Sequence, residues 1–124
     1  MEFTEIKSSE EAFIAGYGDG GFRMGDGRFE GSMLITPNGF YPWEVSDKSE
    51  ISIESIKRIL DAHVYVEIFI IGMGTSMAFL KPEIRSVFSE KNIAVEVMDT
   101  GAAARTYNVL LQEGRKVSAA LIAV

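Results

Sequence analysis

The sequence predicts an α/β fold that opens with an antiparallel β-meander, and three observations carry that expectation. Glycine is concentrated between residues 16 and 39, where Asp-Gly and Asn-Gly steps recur. Three apolar runs, residues 65–71, 93–98 and 117–124, alternate with helical periodicity. Between the last two runs lies Asp99-Thr-Gly-Ala-Ala-Ala-Arg-Thr-Tyr-Asn-Val-Leu-Leu-Gln-Glu-Gly, which places a strand end, a capped helix and a glycine stop in one stretch.

The glycine-rich segment reads as strands joined by tight turns. Asp-Gly and Asn-Gly tolerate positive φ and mark hairpin turns. Short β-prone runs separate them: Phe22-Arg-Met, residues 29–36 and residues 40–45. The pattern changes near Asp47. Ser52 is placed to cap a helix carrying Ile53, Ile56, Ile59 and Leu60 on one face. Residues 65–71 form a near-continuous apolar run, as expected of a strand buried on both faces. Pro82 suits the first turn of a short helix to about Lys91, with Ile84, Val87 and Phe88 inward. Residues 93–98 make the next strand. Asp99 or Thr100 caps a helix from about Ala102 to Glu113, and Gly114 ends it. Residues 117–124 make the last strand. Strands alternating with helices imply mainly parallel pairing.

Composition bounds the rest. A chain of 124 residues with 47% hydrophobic residues suits one packed domain, residues 1–124. It contains no cysteine, which excludes disulfides, thiolate metal sites and a cysteine nucleophile. The net charge is −6 and no cluster of bases exceeds Lys57-Arg58 or Arg115-Lys116. Phosphate neutralisation, and hence nucleic-acid binding, is not expected. No apolar run is long enough to span a bilayer, and no basic, apolar leader opens the chain. A cytoplasmic location is therefore expected, without direct membrane insertion.

Candidate binding residues gather at two turns. Ile71-Gly-Met-Gly-Thr-Ser follows a buried strand, and its glycines let backbone amides turn toward an anion. They suit a plain tight turn that changes chain direction better still, since a two-glycine match is a weak signal. The motif is not a dinucleotide fingerprint, because the third glycine position is Met77, and no Gly-Lys-Ser/Thr makes it a P-loop. If strands 65–71 and 93–98 are parallel, loops 72–76 and 99–105 share the carboxyl edge where open α/β sheets bind ligands. The crevice residues are then Gly72, Gly74, Thr75, Asp99, Thr100, Arg105 and Asn108. Arg105 can clamp a carboxylate in two-point fashion or pair with Asp99. Ala103, Tyr107, Leu110 and Leu111 make the helix's core face, with the Tyr107 hydroxyl finding a partner. Trp43 reads as a core anchor more than an exposed contact. His63 stands at a helix end without a Ser partner or second metal ligand. Glu5, Glu10, Glu11, Asp47 and Glu50 read as solvated charges. No metal and no cofactor is expected.

Gly16-Tyr-Gly, Phe22, Gly31-Ser, Trp43, Ile71-Gly-Met-Gly-Thr, Asp99-Thr, Ala103, Arg105-Thr-Tyr-Asn-Val-Leu and Glu113-Gly-Arg-Lys-Val occur in that order. Together they resemble the small-protein family that includes mitochondrial respiratory complex I assembly factor 3 and many uncharacterised bacterial proteins. The resemblance covers about residues 10–124 and is most specific over 100–117. It implies a three-layer α/β fold around a mixed central sheet with an added β element. It also implies assembly-factor work through protein contacts, with no established enzymatic activity. Some relatives carry a cysteine beside the position of Arg105. Here that position is Ala104, so no thiol mechanism applies. The short N-terminal lead suggests a bacterial-type member. The leading functional expectation is a non-enzymatic protein-interaction domain with an unidentified protein partner. The alternative is a small-molecule or anion binder, or an enzyme, using the crevice between residues 72–76 and 99–105.

Overall fold

Apolar strands buried on both faces organise the molecule, a computed structural model that describes residues 3–62 and 65–124. Strands β1 (Thr4–Glu5), β5 (Met33–Thr36), β6 (Gly39–Pro42), β7 (Ile68–Gly72), β8 (Ala94–Met98) and β9 (Val117–Leu121) form one mixed sheet, in the order β1-β6-β5-β9-β7-β8. β7 pairs parallel with both β8 and β9, while β9 pairs antiparallel with β5. The three apolar runs thus share one sheet, as expected. β2 (Ile14–Gly18), β3 (Gly21–Met24) and β4 (Gly27–Glu30) form a separate antiparallel sheet.

Alternate side chains along the central strands serve two cores. Leu34, Phe69, Ile71, Ala120 and Ile122 face one side and pack with Ile56, Ile59, Ile84 and Phe88 from α2 (Lys57–Leu60), its preceding turn and α3 (Pro82–Ser89). Met33, Ile35, Ile70, Ala119 and Leu121 face the other side. There they meet Ala103, Ala104 and Tyr107 of α4 (Thr100–Gln112), together with Ile14, Phe22 and Met24 of the small sheet. This gives the three layers: helices, mixed sheet, then α4 with the added β element. Four-residue α1 (Ser9–Ala12) leads into β2. Among the described residues no helix is long and apolar enough to cross a membrane.

Several local expectations change. The run 29–36 is two strands in two different sheets. Gly31 breaks it at φ 85°, a conformation that costs most other residues energy. The meander therefore splits: β2–β4 fold on themselves, whereas the β5–β6 hairpin joins the central sheet. The helix expected after Ser52 is a 3-10 turn, Glu54–Ile56, followed by α2. Ser52 and Ser55 bond each other's backbone N–H groups there, and Ile53 is exposed. Tyr65 is 65% exposed and precedes β7. Asp47 and Glu50 are not idle charges, because they close a capping box around the turn Lys48–Glu50. Hydrogen bonds from Ser49 hold the Asp47 carboxyl below its usual range, and those from Ser46 and Asp47 do so for Glu50. Pro82 opens α3 as expected, and Gly114 ends α4 at φ 80°. Trp43 is buried and donates from Nε1 to the Ser55 carbonyl at 2.8 Å. His63 lies outside the described residues.

Ser118, second in β9, is fully buried, and among the described residues its hydroxyl has no hydrogen-bond partner. An unsatisfied buried hydroxyl costs about 1–3 kcal/mol. Ser118→Ala is therefore expected to raise unfolding stability by about 1 kcal/mol. Denaturant titration checks this, with an unchanged slope and a higher midpoint as the expected result.

Candidate functional site

The glycine loop and the start of α4 meet at the carboxyl edge of β7, β8 and β9. Gly72 ends β7, and its carbonyl accepts from the Ile122 N–H at 3.0 Å. A Cβ at Gly72 would lie 3.0 Å from Thr100 Cα, Thr100 Oγ1 and Leu121 Cδ2, so glycine lets the two segments approach without crowding. Gly74 adopts φ 98° and donates its N–H to Thr100 Oγ1 at 2.9 Å. Its carbonyl accepts the Thr100 N–H at 2.8 Å. The Thr100 hydroxyl in turn donates to the Ile122 carbonyl at 2.7 Å. Thr100 is fully buried at this junction. The segments expected to flank a crevice are thus bonded directly to one another. Thr75 lies exposed on the loop beyond Gly74.

Asp99, not Thr100, caps α4. Its Oδ1 accepts from the Ala102 N–H at 2.8 Å, which satisfies one of the donors left open at a helix start. Thr100 cannot act as cap because its hydroxyl is already committed to Gly74 and Ile122.

The polar run 105–108 has a different task from the glycine loop. Arg105 Nη1 donates to the Tyr17 hydroxyl at 2.8 Å. The Tyr107 hydroxyl donates to the Ala12 carbonyl at 2.9 Å, and burial pushes its pKa above the ordinary tyrosine value. Asn108 accepts from the Ile14 N–H at 2.9 Å and donates to the Ile14 carbonyl at 2.8 Å. Arg105 and Asn108 therefore fasten β2 to α4, and Tyr107 holds the end of α1 that leads into it. Among the described residues Arg105 meets neither Asp99 nor another carboxylate, and Asn108 engages β2 rather than the glycine loop. Tyr17 was invisible as Arg105's partner. Its only signal is an aromatic residue between two glycines, at a sequence separation no local pattern reports.

Cavities also open on the side of the sheet that faces α2 and α3. One of about 590 Å³ opens beside the β5–β6 hairpin and α2, lined by Leu34, Tyr41, Trp43, Lys57 and Arg58 among others. Arg58 stands 4.3 Å over the Tyr41 ring there. Another, about 240 Å³, begins at Met73 of the glycine loop and is walled by Ile51, Ala78, Leu80 and Ile84. Beside it the loop projects Met77, 55% exposed, and Phe79, 91% exposed. A run of apolar residues in a loop ahead of Pro82 is the signal that marks them in the sequence. Among the described residues no group of three or more His, Asp or Glu side chains is placed to hold a metal ion.

Comparison with known proteins agrees with this architecture. Residues 14–122 match the model of a family described as protein of unknown function (DUF498/DUF598). The chain is 33% identical over 118 residues to the Xenopus tropicalis protein named NADH dehydrogenase [ubiquinone] 1 alpha subcomplex assembly factor 3. That match covers 95% of this chain and 64% of the frog protein, so the chain spans less than two thirds of that relative's length. An uncharacterized protein of Rhodobacter capsulatus is 34% identical over 109 residues, covering 88% of this chain and 82% of its own. A crystal structure of a Bartonella henselae protein, described as an outer membrane protein, superposes with a TM-score of 0.85 at 40% identity. It covers 90% of this chain and 93% of its own.

Two outcomes follow from the geometry. Thr100→Val removes the hydroxyl while keeping the shape, leaving the Gly74 N–H and Ile122 carbonyl without their partner. A loss of about 2–5 kcal/mol is expected, whereas Thr100→Ser, which keeps the hydroxyl, should lose about 1 kcal/mol. Equilibrium unfolding of the two variants separates the cases. The second outcome concerns alkali. The unfolded chain releases the Tyr107 proton near pH 10, and the folded chain holds it to higher pH. The folded state then binds more protons, so this contribution to stability is full below about pH 10 and falls above it. Stability measured against pH should show this decline in wild type and a shallower one in Tyr107→Phe.

Proposed function

The chain belongs to this family of unknown function, and from that membership we propose that it is a non-enzymatic protein-interaction domain aiding assembly of a membrane-bound respiratory complex. The observation that carries the reading is its 33% identity, over 95% of its length, to a protein named as a complex I assembly factor. The use of its polar residues supports the non-enzymatic part. Thr100, Tyr107 and Asn108 each hold backbone groups of other segments. An anion at the Gly74–Thr100 junction would have to displace hydrogen bonds already made, so the ligand-binding reading of Gly72, Gly74, Thr75, Asp99 and Thr100 has the weaker support. The partner is a protein and not a nucleic acid, in keeping with the acidic charge. The site of action is the cytoplasmic side of the membrane.

The partner-facing surface in this reading is the outer side of α4. Arg105 and Val109 lie one turn apart on the helix. Tyr17, 41% exposed, completes a patch with Val109, 54% exposed. Tyrosine and arginine dominate the energetics of protein interfaces. Tying their polar ends together also presents both in a fixed geometry.

In the organism that carries the gene, deletion should lower the amount of fully assembled respiratory complex I on native gels. Wild type should restore it. An Arg105→Ala, Val109→Asp double variant should restore it poorly while unfolding within about 1–2 kcal/mol of wild type. Normal complex levels after deletion would remove the assembly reading. Loss of a defined reaction by a well-folded Arg105→Ala protein would replace it with an enzymatic one.

A further inference from the structure

The loop between β7 and α3 puts a projection and a hollow side by side. Phe79 is 91% exposed and Met77 55%, the two most prominent apolar side chains of the loop. A large aromatic ring in water forgoes the burial that stabilises it elsewhere. Immediately beside Phe79 lies the cavity of about 240 Å³ walled by Ile51, Met73, Ala78, Leu80 and Ile84. The hollow is apolar and large enough for an aromatic side chain, and the chain carries that side chain at the hollow's own rim.

We propose that this surface is a two-fold interface between copies of the chain, in which Phe79 of each copy enters the cavity of the other. A projection next to a matching hollow is self-complementary under a two-fold rotation, which uses the same patch twice and closes as a dimer. Rim charge fits the same occupant. Lys48 and Lys81 border the cavity, and exposed Glu83 follows Lys81 by two residues. Both signs are therefore present, as a surface meeting its own copy requires. Asp47 also lines the cavity, and its capping hydrogen bonds hold the carboxylate ionised, which adds a negative charge beside the lysines. The loop itself is set for the role. Gly74 is bonded to Thr100 behind it, and Lys48 Nζ donates to Ser76 Oγ at 3.3 Å across its base. The projection stands on a fixed support, which limits the ordering cost of association.

The patch is small, so the dimer belongs to the weak class, formed at micromolar to millimolar concentrations. Sedimentation of the purified chain from about 1 µM to about 1 mM should show a monomer–dimer equilibrium. Over that range the methyl resonances of Ile51, Met73, Leu80 and Ile84 should shift with concentration. Phe79→Ser touches an exposed side chain and should leave the monomer's melting temperature unchanged. Because Phe79 acts twice per dimer, the variant should weaken dimerisation at least about 100-fold. Tyr65→Ser, an exposed aromatic substitution ahead of β7, should leave it unchanged. A chain monomeric at about 1 mM, or a dimer that survives Phe79→Ser, overturns the proposal. So does a dimer whose concentration-dependent shifts avoid the cavity. None of these results bears on assembly in the cell, so the two readings fail separately.

Discussion

The rest of the structure depends on the Thr100 hydroxyl. It accepts from Gly74 and donates to Ile122. One buried oxygen therefore ties the exit of β7, the start of α4 and the continuation of β9 into a single point. Parallel strands share no hairpin, so nothing local holds their carboxyl ends in register. A side chain placed between them does what a turn does for antiparallel strands. The arrangement favours Gly72, because a Cβ there would crowd Thr100 itself. It also explains why Asp99 takes the capping role. Placing the cap one residue earlier leaves the Thr100 side chain free to point into the sheet edge.

With α4 anchored at its start, the polar run 105–108 becomes intelligible. A sheet of short strands gains its stability from a hydrophobic face packed against something else, such as a helix. Here α4 supplies hydrogen bonds to Ala12, Ile14 and Tyr17, while Ile14, Phe22 and Met24 bury against Ala103, Ala104 and Tyr107. Asn108 completes the β2 edge by serving both the N–H and the carbonyl of one residue, as a neighbouring strand would. The residues that look most like an active site by composition are the fastening of one layer to another. Their density reflects the number of backbone groups to be satisfied where a sheet edge meets a helix.

Legibility in the sequence followed the range of the interaction. β7, β8 and β9 were readable because apolar runs bounded by turn and helix signals are properties of contiguous residues. The end of α4 was readable for the same reason. Gly114 adopts positive φ, and the Arg115 and Gly114 N–H groups return to the Leu110 and Leu111 carbonyls. The split of residues 29–36 was harder, because β-propensity is uniform across it and only Gly31 signals the break. The helix after Ser52 failed because four apolar positions fit a helical face equally well as a 3-10 turn and one turn of α-helix. For the candidate site, the meeting of the glycine loop with α4 was legible through parallel pairing. The partners of Arg105 and Asn108 were not. They lie 88 and 94 residues away in sequence, and no spacing rule reaches that far.

The same constraint shapes what the surface can do. A binding patch contributes affinity only to the extent that its side chains are not ordered at the moment of association. Arg105 sits five residues beyond Thr100 on a capped helix, held by Tyr17. Met77 and Phe79 sit just beyond Gly74, which is bonded to the same threonine. Both exposed patches thus arise from segments that leave one buried junction. At this junction the polar groups are spent on the chain's own backbone. The two patches that lead outward from it carry Tyr17, Arg105 and Val109 on one side and Met77 and Phe79 on the other, all exposed. Those are the side chains through which proteins recognise proteins, because they bury large areas at low entropic cost. The internal use of the polar residues and the outward use of the aromatic ones are therefore two consequences of one arrangement.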